Sequence, residues 1–267
     1  SLPGSLSGHQ DRGIAGNRGA CTYKSAGMGT GLDTMTDIAY APAVGNKFYE
    51  DGTVRQFPGN TVICFVDPQS AVYGHCDWMQ EQLRSLPFAH KFTLLPMPSM
   101  HMTVFEFITD ATRMPEKWSS HLALDASLEE TDAYFIKTFA QVPPPDGFKM
   151  VFNEVRSGAV GISIKLAPVN DESAQQLKQY RDALAKATGM RFLDHDSYVF
   201  HISLAYHIQR QTEAEAAQFA ALLADINEKM RDTFGVFQTG QPQLTFFDDM
   251  FEFVPTEKRH MLKSRQG

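Results

Sequence analysis

Two short segments carry the side chains best suited to chemistry. They are His101-Met102-Thr103-Val104 and His201-Ile202-Ser203-Leu204, and both read histidine, apolar, hydroxyl, apolar. The chain holds nine histidines, and ordinary residue usage predicts roughly 0.2 such segments by chance. On a β-strand, side chains at i and i+2 share a face about 6–7 Å apart. Each segment therefore presents an imidazole beside a hydroxyl. Met102 and Val104, or Ile202 and Leu204, anchor the opposite face.

If two such strands pack pseudo-symmetrically, two imidazoles and two hydroxyls converge on one cleft. A phosphodiester suits that arrangement. A neutral imidazole takes a proton from the attacking water, and a protonated one gives a proton to the leaving oxygen. The hydroxyls hold the nonbridging oxygens as charge develops. Histidine serves both roles because its pKa lies near neutrality, and this chemistry requires no metal.

The paired His-x-Thr and His-x-Ser segments resemble those of the two-histidine (2H) phosphodiesterase superfamily, over roughly residues 46–255. That superfamily includes bacterial RNA 2′,3′-cyclic phosphodiesterases and plant and yeast cyclic nucleotide phosphodiesterases. The resemblance implies an α+β fold, bilobal and pseudo-twofold, with two antiparallel sheets around a central cleft and helices outside. It implies metal-independent cleavage of a 2′,3′-cyclic phosphate or a related phosphoester. It also implies that His101 and His201 form the acid–base pair while Thr103 and Ser203 bind phosphate. A glycine-rich N-terminal arm and a loop over 109–126 depart from compact members.

Other candidate sites are weaker. Asp194-His195-Asp196, with His201 and His207 at matching strand parity, is the one metal-cluster candidate, but its spacing fits no common zinc pattern. His195 reads better as a cap on a polar turn and His207 as a strand-end surface residue, so no metal or other cofactor is expected. No GxSxG nucleophile elbow occurs. Gly27-Met28-Gly29-Thr30-Gly31 follows no strand and leads to no GKS or GKT. Lys91 and Arg191, at equivalent positions, either enrich the cleft in positive charge or are solvated.

The elements that must position these residues repeat at an interval of 100. A strand over 61–67 falls on one over 161–167, Pro68 on Pro168 before a helix, and Lys91-Phe92 on Arg191-Phe192. The first helix shows an apolar stripe of Val72, Cys76, Met79, Leu83 and Leu86. Ser127 with Glu130, and Thr212 with Glu215, predict capping boxes. Gly189 fits the end of a helix over 170–188. Asp51-Gly52 predicts a two-residue type I′ hairpin turn. Further strands are expected over 90–96, 100–108, 148–156, 190–193 and 198–208, with a last strand or bent pair over 243–254.

The chain has 267 residues, 43% hydrophobic and 21% charged. That excludes collagen, coiled coil and wholesale disorder. Residues 1–45 hold nine of the 19 glycines and read as an extended arm or a flexible tail, leaving 46–255 as one two-lobed domain and 256–267 as a C-terminal tail. No window is long and apolar enough for a membrane span, and the first 30 residues show no secretory signal. A net charge of −7 argues against gripping long nucleic acid, though not against a small nucleotide or an RNA end. Three widely spaced cysteines, Cys21, Cys64 and Cys76, fit reduced thiols in the cytoplasm. The oligomeric state stays open. Two alternatives stand beside the enzyme: a non-catalytic nucleotide- or phosphate-binding module of the same fold, and a metal-dependent hydrolase built on His195–His207.

Overall fold

A computed structural model describes residues 38–267 of the chain. The proposed arm falls largely on residues outside this range. Its last part, residues 38–45, belongs to the body: Ala41 and Ala43 are buried, and the Ala41 amide donates to the Ile208 carbonyl at 2.8 Å.

The fold is α+β. Nine strands form one antiparallel sheet: β1 (Gly59–Phe65), β2 (Phe92–Leu94), β3 (His101–Thr109), β4 (Lys149–Ser157), β5 (Gly161–Pro168), β6 (His201–His207), β7 (Val236–Gln238), β8 (Gln243–Phe247) and β9 (Val254–Pro255). Their order is β7-β4-β5-β6-β3-β1-β8-β9, with β2 also pairing to β6. Among the described residues four α-helices accompany them: α1 (Ala71–Arg84), α2 (Leu128–Phe139), α3 (Asp171–Thr188) and α4 (Glu213–Thr233).

The sheet order is a palindrome in role. Strands β4-β5-β6 of one lobe mirror β8-β1-β3 of the other, and the lobes join where Met102 pairs with Ile202. The two expected sheets are thus halves of one continuous sheet. The ladders repeat residue for residue. Phe65, Cys64 and Ile63 face His101, Met102 and Thr103, while Lys165, Ile164 and Ser163 face His201, Ile202 and Ser203. Even the irregularity repeats. Past Thr103 and past Ser203 the register slips, so that Val62 faces Phe105 and Ile162 faces Ala205. The extra residues are Val104 and Leu204. Such bulges bend a strand and re-aim the side chains beyond them. In the second lobe Gly161 makes the slip possible, because a Cβ there would lie 2.5 Å from the Ala205 carbonyl oxygen.

The predicted helical signals are present. The α1 stripe is buried from Val72 to Leu86, and each such side chain contributes roughly 1.5–3 kcal/mol by leaving water. Ser70 and Asn170 cap α1 and α3, both capping boxes form on α2 and α4, and Gly189 ends α3 in the left-handed conformation.

Three local readings are corrected. The first hairpin closes with Tyr49 paired to Thr53, so its loop is the three residues Glu50-Asp51-Gly52. Gly52 takes φ +85°, the left-handed residue that such a loop needs. Residues 190–193 form no strand, and Leu193 is fully exposed. The segment 256–267 is a docked end, not a free tail. The Arg265 guanidinium is buried and ion-paired with Asp132 of α2 at 3.0 Å, and it donates to the Gly59 and Phe247 carbonyls at 2.7 and 2.8 Å.

Candidate active site

The joining pair Met102–Ile202 decides how the motifs meet. It is the one residue pair of the ladder between β3 and β6, and it sets the two motifs side by side where the lobes join. All four side chains line one cleft of ≈ 510 Å³. Met102 and Ile202 point away and are fully buried.

Both histidines are oriented by the same contact. His101 Nδ1 lies 2.7 Å from the Ser99 carbonyl and His201 Nδ1 lies 2.9 Å from the Val199 carbonyl, two residues upstream in each case. A carbonyl oxygen only accepts, so Nδ1 carries the proton and donates. The lone pair of each neutral ring is then on Nε2, away from the backbone. The rings are also packed: Phe253 lies 4.4 Å from His101 and Tyr198 lies 6.2 Å from His201, centroid to centroid.

The cleft disfavours positive charge on both rings. Burial pushes the His101 pKa down to about 4, a shift that the Ser99 carbonyl opposes and His201 reinforces. Burial also lowers His201, with Lys165 and Lys47 adding to the effect and the Val199 carbonyl opposing it. His101 is therefore neutral near pH 7.

The twin bulges bring further residues to the cleft. Before each slip the odd positions face it; beyond the slip the even ones do. Glu106 and Tyr206 consequently join the lining. Lys47, from the first hairpin, enters as well, with Nζ 5.4 Å from the Phe57 ring and 5.2 Å from the Tyr206 ring. Phe247, Met250 and Phe253 form an apolar flank. Simple alternation hid Glu106 and Tyr206. The visible signal was the apolar doublet that interrupts it, Val104-Phe105 in one strand and Leu204-Ala205 in the other. Lys47 lies too far away in sequence for any local pattern to place it.

Of the metal-cluster candidates, His195 and Asp196 lie together with Asp182 of α3, their ligand atoms within 4.8 Å of one another, and Asp194, His201 and His207 are not part of that group. His195 is buried, with Nε2 2.7 Å from Asp182. His207 lies beyond the bulge, so its parity differs from that of His201. It is buried, 2.8 Å from the Ser157 hydroxyl and edge-on to Phe219 of α4, which replaces the surface reading. Lys91 pairs with Glu215 and Arg191 with Asp196, and neither lines the cleft.

A family model described as a 2H-phosphodiesterase domain of unknown function (DUF1868) matches residues 47–161, the lobe that carries His101 and Thr103. Among solved structures, a conserved protein of unknown function from Agrobacterium tumefaciens is similar at 27% identity and a TM-score of 0.75, over 80% of this chain and 91% of that one. Usb1 from Kluyveromyces marxianus matches at 10% identity and a TM-score of 0.42, over 75% of this chain and 98% of that one. TT0787 from Thermus thermophilus matches at 11% identity and a TM-score of 0.35, over 70% and 85% respectively. No curated protein matches the chain. No helix among the described residues is long and apolar enough to cross a membrane.

Proposed function

We propose that this protein is a phosphodiesterase that hydrolyses a 2′,3′-cyclic phosphate, or a related phosphodiester, on a small nucleotide or RNA end. The observation that carries this reading is the matched pair of histidines in one cleft, each with Nδ1–H fixed to a carbonyl and Nε2 left for substrate.

His101, whose affinity for a proton is strongly reduced, acts as the base, and His201 as the acid. His101 Nε2 takes a proton from water as the water oxygen forms its bond to phosphorus. The bond from phosphorus to one ribose oxygen breaks, and the His201 imidazolium gives that oxygen its proton. A ring phosphate becomes a phosphomonoester beside a free hydroxyl. The Thr103 and Ser203 hydroxyls donate to the nonbridging oxygens. No metal or cofactor is assigned to these steps. The buried thiols Cys64 and Cys76, which burial pushes up to about 12, fit the reducing cytoplasm proposed as its location.

The test is a screen of nucleoside 2′,3′-cyclic phosphates, 2′,5′-linked oligonucleotides and ADP-ribose cyclic phosphate, with and without EDTA. Turnover that survives EDTA and is lost in His101→Ala and His201→Ala supports the reading. Nucleotide binding with no turnover of any substrate would instead favour a binding module.

A further inference from the structure

Lys47 and Glu106 are two of the five charged residues that line the cleft, and neither takes part in that reaction. Lys47 enters no ion pair among the described residues. Its ammonium is held above the Phe57 and Tyr206 rings. Glu106 opens onto the cleft and makes no hydrogen bond or ion pair among the described residues. Burial raises the Glu106 pKa, and Lys47 is the foremost charge opposing that rise.

Glu106 is exposed on the cleft wall and meets no donor among the described residues, so its side chain is open to a ligand that offers donors. Glu106 lies four residues past Met102, about 13 Å along the strand at ~3.3 Å per residue. A nucleotide with its phosphate at the two motifs would extend its sugar and then its base toward it. That placement rests on the proposed reaction. The base must then offer donors to a carboxylate, an acceptor to an ammonium, and a flat face to the aromatic wall that includes Phe247 and Phe253.

Guanine alone among the four common bases has this edge. Its O6 accepts, and its adjacent N1–H and N2–H donate to a carboxylate as a pair. Adenine and cytosine place a ring-nitrogen acceptor where guanine has N1–H, and uracil offers one N–H between two carbonyls. We propose that the cleft selects guanine, with Glu106 bonding N1–H and N2–H and Lys47 bonding O6.

The experiment uses the full chain. Affinities for the 3′-monophosphates of guanosine, adenosine, cytidine, uridine and inosine are measured by calorimetry, beside kcat/KM for the corresponding 2′,3′-cyclic phosphates. Guanosine should bind about 10-fold or more tightly than adenosine, the scale of one bidentate discrimination, with inosine between them. Glu106→Gln is nearly isosteric and should abolish the preference, as should Lys47→Met, which reads the same selectivity if the first variant folds poorly. Equal affinity for all bases, no binding of any nucleotide, or an unchanged preference in both variants would overturn the proposal. Guanine-selective binding without turnover would overturn the reaction and leave the base site standing, whereas turnover without base preference would do the reverse.

Discussion

Gln80 of α1 donates its side-chain amide to the Leu204 carbonyl at 3.0 Å, at the bulge of the opposite lobe. The other lobe reciprocates. Arg181 of α3 donates to the Val104 carbonyl at 2.6 Å, at the bulge of the first lobe. A bulge leaves backbone groups outside the regular ladder, and buried groups of that kind need partners. Here each lobe's helix supplies the partner for the other lobe's bulge. The two halves thus hold each other's motif-bearing strands in shape.

Gln80 is buried and also bonds the Leu95 carbonyl at 2.8 Å. Gln80→Leu would leave the Leu95 carbonyl short of a donor, while the Leu204 carbonyl keeps the Leu95 amide at 3.0 Å. Such a group costs about 1–3 kcal/mol, so urea unfolding should show a loss on that scale. A loss under ~0.5 kcal/mol would mean that the bulge does not depend on this bond.

Removal of the reacting groups should act on rate rather than fold. His101→Ala and His201→Ala should each lower kcat/KM by roughly 10²–10⁴-fold, and the double variant should lose far less than the product because the pair acts as a unit. Thr103→Ala or Ser203→Ala should cost about 10–100-fold, since each removes one hydrogen bond to a charged oxygen worth ~1.5–3 kcal/mol. All four side chains reach the cleft, so thermal midpoints should stay nearly unchanged. A His→Gln variant that retains full turnover would assign the histidines a structural role.

Much of this arrangement was readable from local pattern. The repeat of 100 residues, the α1 stripe and both capping boxes depend on neighbours within a few positions, and all are present. What stayed hidden depends on contacts between distant segments. Residues 47 and 106 share a cleft only after a hairpin folds over the sheet. The Glu106 and Tyr206 parity turns on a single extra residue, which a strict period of two cannot register. The expected strand over 190–193 has local alternation but no partner ladder to complete it. Arg265 fell within the expected C-terminal tail because its partners, Asp132 and two carbonyls, are set by the tertiary fold and not by its sequence neighbours.

That docked C-terminus makes its own prediction. Arg265 and Asp132 are 5% and 3% exposed, and Asp132 also accepts from the Asn60 amide at 3.0 Å. Breaking a buried pair by removing one partner costs about 3–5 kcal/mol, because the other charge is left uncompensated. Arg265→Met should lower stability on that scale, and the double variant Arg265→Met with Asp132→Leu should recover much of it. Equal destabilisation in the single and double variants would show that the contacts with the Gly59 and Phe247 carbonyls matter more than the charge pair.

The pH dependence follows from the two depressed histidines. The base must be neutral, so activity is lost as pH falls through the His101 value of about 4. The acid must be protonated, so activity is lost as pH rises through the His201 value, which burial and two lysines hold below 6.5. The bell in kcat/KM should therefore lie on the acid side of neutrality, its limbs belonging to the coupled pair. Lys47→Met removes one of the charges that lower His201, and should move the alkaline limb upward. Stability obeys the same linkage. Between about 4 and 6.5 the unfolded chain binds a proton that folded His101 does not, so stability declines as pH falls through that window. His101→Gln should flatten this decline. Rate profiles of the wild type and Lys47→Met, with thermal midpoints from pH 4 to 8, would test both arms. An alkaline limb above pH 8, unmoved by Lys47→Met, would remove His201 as the acid.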